Sequence, residues 1–217
     1  RFREAPVVLP AATYRTLTTS AERIACAFDE LCRSLLARPG ELETYFAMTP
    51  TQRAMWELSA PFWHGLARAD VFLTREGPQI CELNCDTPTG FAEAIVLNEL
   101  TKSGATPAFD HLRDPNQGFG QRYLAMATTL GRLLGPNVSC NTVGIVCPTE
   151  MPEDLSVIRL LRRWFEDAGH DVVLGSPFNL SHAEDGSAAL FGEPIALLLR
   201  HYKTDWWGER EPVWDDE

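Results

Sequence analysis

The chain has 217 residues, 45% of them apolar and 23% charged, with a net charge of −11. This composition suits a folded chain with one or two cores and excludes disorder. The negative balance argues against a nucleic-acid backbone as partner, which needs a basic face, and is compatible with cationic substrates such as polyamines.

No apolar run approaches the length of a membrane span, no secretory signal opens the sequence, and a cytoplasmic location is expected. Six cysteines, at 26, 32, 81, 85, 140 and 147, fall in helical or strand-like segments rather than in a disulfide framework, so reduced thiols are expected. Cys81 and Cys85 lack a second pair of Cys or His at ligand spacing, which argues against zinc.

Residues 1 to 12 read as irregular, punctuated by Pro6 and Pro10. Thr19 and Glu22 form a capping box, and Ile24, Phe28, Leu31 and Leu35 recur at helical spacing behind it. A helix is therefore predicted over 20–37, stopped by Pro39-Gly40, with further helices over 41–47 and 51–59. Trp56, Phe62 and Trp63 read as core packing.

Two strand-like runs follow, 66–74 and 78–85, joined by Arg75-Glu76-Gly77. They predict a β-hairpin with a three-residue loop. Counting outward from that loop sets Thr74 opposite Pro78, Asp70 opposite Glu82 and Arg68 opposite Asn84, all on one face. The second strand alternates: Cys81, Leu83 and Cys85 on one side, Glu82, Asn84 and Asp86 on the other. Three oxygen donors on one rigid face suit a hard cation such as Mg²⁺.

Gly90 to Ser103 is predicted helical, with Phe91, Ile95, Val96 and Leu100 on its apolar side and Gly104 closing it. A polar loop crosses Asp114-Pro115-Asn116, and another helix covers 118–134, ended by Gly135-Pro136. Thr142 to Cys147 reads as a buried strand, 152–168 as an amphipathic helix with Gly169 at its end, and 171–174 as a second strand. Together they make a βαβ unit without a Gly-rich phosphate loop. Ile195 to Tyr202 is a third apolar run. His64, His170, His182 and His201 show no ligand spacing.

Arg68-x-Asp70, followed at twelve residues by Glu82-x-Asn84-x-Asp86-Thr87-Pro88-Thr89, resembles the synthetase domain of the glutathionylspermidine synthase family, in the ATP-grasp superfamily. The resemblance covers roughly 60–217. It implies a mixed α/β (α+β) fold: an ATP-grasp-like, metal-bearing antiparallel hairpin with helices, and an inserted Rossmann-like βαβ (pre-ATP-grasp) unit. The domains would be 1–137, 138–202 and the start of a continuation at 203–217.

It also implies an ATP-dependent carboxylate–amine ligase acting through an acyl phosphate. Asp70, Glu82 and Asn84 would hold Mg²⁺, and Arg68 would steady the transferring phosphoryl group of ATP. Asp86, Thr87 and Thr89 would bind the carboxylate end of a peptide-like acid such as glutathione. Lys203, Asp205 and Glu209 are further candidates for contact with nucleotide or with an amine such as spermidine. The family's phosphate-binding lysines and adenine pocket lie largely downstream. This sequence has only Lys102 and Lys203 against seventeen arginines, starts at Arg1 and stops at Glu217. It therefore reads as a fragment of a longer enzyme. A ligase with other acid and amine substrates, and a non-catalytic binding module retaining the scaffold, are the alternatives.

Overall fold

The structure is a computed structural model that describes residues 7–63, 65–103, 112–134 and 140–209. His64, Gly104, Gly135, Pro136 and the segment from Arg210 onward lie outside the described residues. The architecture is mixed α/β, and the chain divides into two compact units. Within the described residues one comprises 7–88 together with 203–209, the other 89–202. The division therefore falls at 88/89 and 202/203; the sequence reading set boundaries at 137/138 and 202/203.

In the first unit, α1 (Ala11–Leu36) begins nine residues before the expected start and runs straight through the Thr19–Glu22 pair. The apolar spacing of Leu17 and Ile24 extends upstream, and Pro10 precedes the first turn, so an internal Thr–Glu pair has no terminus to cap. The capping box lies instead at α3 (Pro50–Leu58): Thr49 Oγ1 accepts from the Gln52 amide at 3.2 Å, and Gln52 Oε1 accepts from the Thr49 amide at 3.0 Å. Between them sits α2 (Pro39–Phe46), whose Leu42 is buried.

Strands β1 (Arg68–Thr74) and β2 (Gly77–Asn84) form an antiparallel pair, and α1 packs along β2. A two-stranded ribbon is marginal in water, so this helix is what supports it. Returning at Lys203, the chain adds α7 (Thr204–Glu209), which packs on α3.

The second unit holds most of the buried apolar side chains. Helices α4 (Phe91–Ser103) and α5 (Phe119–Leu134) precede β3 (Thr142–Val146), a short 3-10 turn, α6 (Leu155–Asp167) and β4 (Asp171–Gly175). Strand β8 (Leu197–Arg200) completes a parallel three-stranded sheet in the order β4-β3-β8. Central β3 is buried from Val143 to Val146, as a strand covered on both faces must be.

Helix α6 buries Val157, Ile158, Leu160, Leu161 and Phe165, and turns Arg162 outward to pair with Glu166 at 2.7 Å. It ends in a Schellman arrangement at Gly169 (φ +88°), where the His170 amide reaches Phe165 O at 3.0 Å. On α4 the buried residues are Ala92 and Ile95, whereas Val96 and Leu100, expected on the apolar side, are exposed.

A second small antiparallel sheet, β5 (Leu180–His182), β6 (Ala188–Leu190) and β7 (Glu193–Pro194), was not foreseen. Strands of three, three and two residues are too short to carry an alternating pattern. Leu190 and Ile195 from this region press against Gly144 and Gly175; a Cβ on Gly144 would lie 3.0 Å from Ile195 Cδ1.

Candidate functional site

The hairpin brings four of the sequence-predicted residues into one block. Arg68 pairs with Asn84 and Asp70 with Glu82, alternate register positions on two adjacent strands. Both pairings match the expectation, by a different route. The loop has two residues, Arg75 and Glu76, so Thr74 faces Gly77 and Leu73 faces Pro78, one step from the expected alignment. Gly77 takes φ +110°, which favours glycine, and Thr74 Oγ1 donates to its carbonyl at 2.7 Å.

A β-bulge between Val71 and Asp70 then inserts one extra residue in β2 around Cys81 and restores the alignment from Asp70 outward. Without that bulge Asp70 would face Cys81, and the acids would not be opposed.

The four polar side chains are knitted together. Arg68 Nε donates to Asp70 Oδ1 at 2.7 Å and Nη2 donates to Oδ2 at 3.1 Å, a bidentate fork. That hydrogen-bonded fork, with the guanidinium charge, holds the Asp70 carboxyl below its usual range. In return, the bond to Asp70, together with the charges of Asp70 and Glu82, raises the Arg68 pKa. Asn84 Nδ2 donates to Glu82 Oε1 at 2.9 Å, which orients the amide. The Arg68 and Asp70 side chains remain about two-fifths exposed, 41% and 40%. At that exposure solvent screens the ion pair and it adds little to stability, so stability alone does not account for the arrangement.

Asp70 and Glu82 supply carboxylates and Asn84 an amide carbonyl. Among the described residues no group of three or more His, Cys, Asp or Glu side chains is placed to hold a metal. Two carboxylates and an amide, all oxygen donors, fit Mg²⁺, which binds few protein groups and keeps water and phosphate oxygens as its remaining ligands. They do not fit zinc, whose sites draw on Cys and His.

The remaining predicted residues are dispersed. Asp86 and Thr87 follow β2 directly. Both Asp86 carboxylate oxygens accept from Thr204: Oδ2 from the amide at 2.8 Å and Oδ1 from the hydroxyl at 2.9 Å. Thr87 is half-buried. Thr89 is the first residue of the second unit. Lys203 places its ammonium 4.4 Å from the centre of the Trp206 ring, a cation–π contact. Asp205 is exposed in the first turn of α7, and Glu209 ends that helix, its side chain outside the described residues. The other lysine, Lys102, pairs with Asp114 at 2.7 Å.

A polar group that the sequence did not flag lies in the second unit, at the carboxyl ends of the parallel strands. His201 Nε2 stands 3.6 Å from Asp154 Oδ1, both side chains nearly buried. Cys147 follows β3, and burial, then the Asp154 charge, pushes its thiol up, which makes it a poor nucleophile. Only the meeting of the ends of β3 and β8 with the turn before α6 reveals this grouping, since 54 positions separate Cys147 from His201. All six cysteines are free thiols. None of the helices among the described residues is long and apolar enough to cross a membrane.

No protein-family model matches the chain, and no curated protein sequence matches it.

Proposed function

We propose that the chain carries the metal side of an ATP-dependent carboxylate–amine ligase resembling glutathionylspermidine synthase. The observation that supports this reading most strongly is the block of Arg68, Asp70, Glu82 and Asn84 on alternate register positions of one hairpin. Solvent-facing strands commonly carry polar residues, but a bidentate Arg–Asp fork opposite an acid and an amide, aligned by a bulge, is a more specific arrangement.

Phosphoryl transfer asks for positioning and charge neutralisation rather than a protein nucleophile. Asp70, Glu82 and Asn84 present oxygen donors to a divalent cation. When bound, Mg²⁺ would neutralise phosphate charge and polarise the transferring group. Arg68 supplies a permanent positive charge beside those donors, and its side chain can turn from Asp70 toward developing charge on phosphate oxygens. The substrate carboxylate attacks the γ-phosphorus and ADP leaves; the amine then displaces phosphate from the acyl phosphate to form the amide. Thr87 supplies a hydroxyl beside the strand end for the carboxylate substrate.

The test uses the natural gene product that contains residues 1–217, with Mg²⁺-ATP, a thiol peptide such as glutathione and a polyamine such as spermidine. ADP and amide are expected in equal amounts only when all components are present. Arg68→Ala should lower kcat by about 10²–10³-fold with a smaller change in KM. No ADP across a panel of peptide acids and amines, or unchanged turnover in Arg68→Ala, would contradict the reading.

A further inference from the structure

Thr204 and Asp86 are separated by 118 positions yet share two hydrogen bonds, and their positions in the chain explain why that matters. The chain leaves the first unit after Pro88 and re-enters it at Lys203. Asp86 therefore stands two residues before the point of exit, and Thr204 one residue after the point of return. Both belong to the first unit, so the tie lies within one compact body. The Thr204 amide opens α7, which sits on α3 and carries Trp206 beneath the Lys203 ammonium.

We infer that Asp86 is a clamp rather than a substrate ligand. Its carboxylate pins the returning segment to the end of β2, and so fixes α7 and Lys203 relative to the strand that bears Glu82 and Asn84. Bonds to an ionised carboxylate are the strong kind, and two of them meet one residue, which leaves Thr204 little freedom to turn. Release of the clamp frees both connections at once. The clamp goes beyond the ligase reading and does not depend on it, because its readout needs neither nucleotide nor turnover.

Trypsin cuts after Lys203 only when the segment opens, so cleavage between Lys203 and Thr204 reports the clamp. In the full chain, Asp86→Ala should accelerate that cut by about tenfold or more, with cutting after Lys102, in the other unit, unchanged. Thr204→Val keeps the amide donor and loses the hydroxyl, so it should give a smaller acceleration. Combining the two should add nothing to Asp86→Ala alone, since both changes break one tie. Equal cutting at Lys203 in the unaltered chain and in Asp86→Ala would overturn the clamp. Where Asp86→Ala accelerates both sites through loss of the fold, Thr204→Val decides: faster cutting at Lys203 alone supports the clamp, and unchanged cutting overturns it.

Discussion

Asp114 shows how a carboxylate outside the candidate site is held charged. Its side chain is only 9% exposed, and burial taken alone would raise its pKa. Lys102 Nζ at 2.7 Å, the Asn116 amide at 2.9 Å and Asn98 Nδ2 at 2.9 Å together outweigh burial, and the pKa falls below the ordinary range. The folded pKa is thus below the unfolded value of about 3.9, so the stabilising contribution is complete above that pH and fades as pH falls through the folded pKa. Urea unfolding at pH 7 and pH 3 should show a smaller acid-induced loss in Asp114→Asn than in the unaltered protein. An identical loss would show that Asp114 is not linked to folding. Part of this group was readable from sequence, since Asp-Pro-Asn signals a turn in which Asp bonds the amide two residues on. Asn98 and Lys102 were not readable as partners, because they lie 16 and 12 positions away on α4.

The hairpin was legible because its two strands alternate and a glycine, Gly77, marks the turn between them. The pairing of Asp70 with Glu82 came out as expected only because a loop one residue shorter and a bulge one residue longer offset each other. Bulges follow local packing, which a two-periodic count does not register. The helices of the second unit were legible for a different reason, their long apolar stripes, yet the contact between α5 and α6 was not. There Gly120 lies under the Trp164 ring, and an added Cβ would sit 2.8 Å from Cε2 and 2.9 Å from Nε1. Alanine favours a helix over glycine by about 1 kcal/mol, but overpacking against a fixed indole costs about 1–3 kcal/mol. The indole is held by Phe119 and Tyr123, with ring centres at 6.0 and 5.9 Å, so the clash wins. Gly120→Ala should lower the melting temperature by about 2–6 °C. An unchanged or higher melting temperature would mean that Trp164 moves aside freely.

The two units differ in what stabilises them. Residues 89–202 enclose a cluster around Ile145, Val157 and Phe165, each fully or almost fully buried. Residues 7–88 with 203–209 have Leu35 and Leu42 as their buried large side chains among the described residues, and lean on α1, the hairpin and ties such as Asp86 to Thr204. The βαβ pattern announced the first of these bodies, but not that α4 and α5 join it, since nothing local in a helix says which sheet it will cover. The candidate site belongs to the less densely cored unit, a setting in which donor groups can rearrange around a ligand. That Asp70, Glu82 and Asn84 act as one cation site, with Arg68 beside it, is the central claim. Calorimetric titration of Mg²⁺ in the presence of ATP, into the protein and into Asn84→Ala, tests it most directly. The predicted result is an affinity about tenfold or more weaker in the variant, at unchanged melting temperature without metal. Equal Mg²⁺ affinity in the two proteins would contradict the assignment.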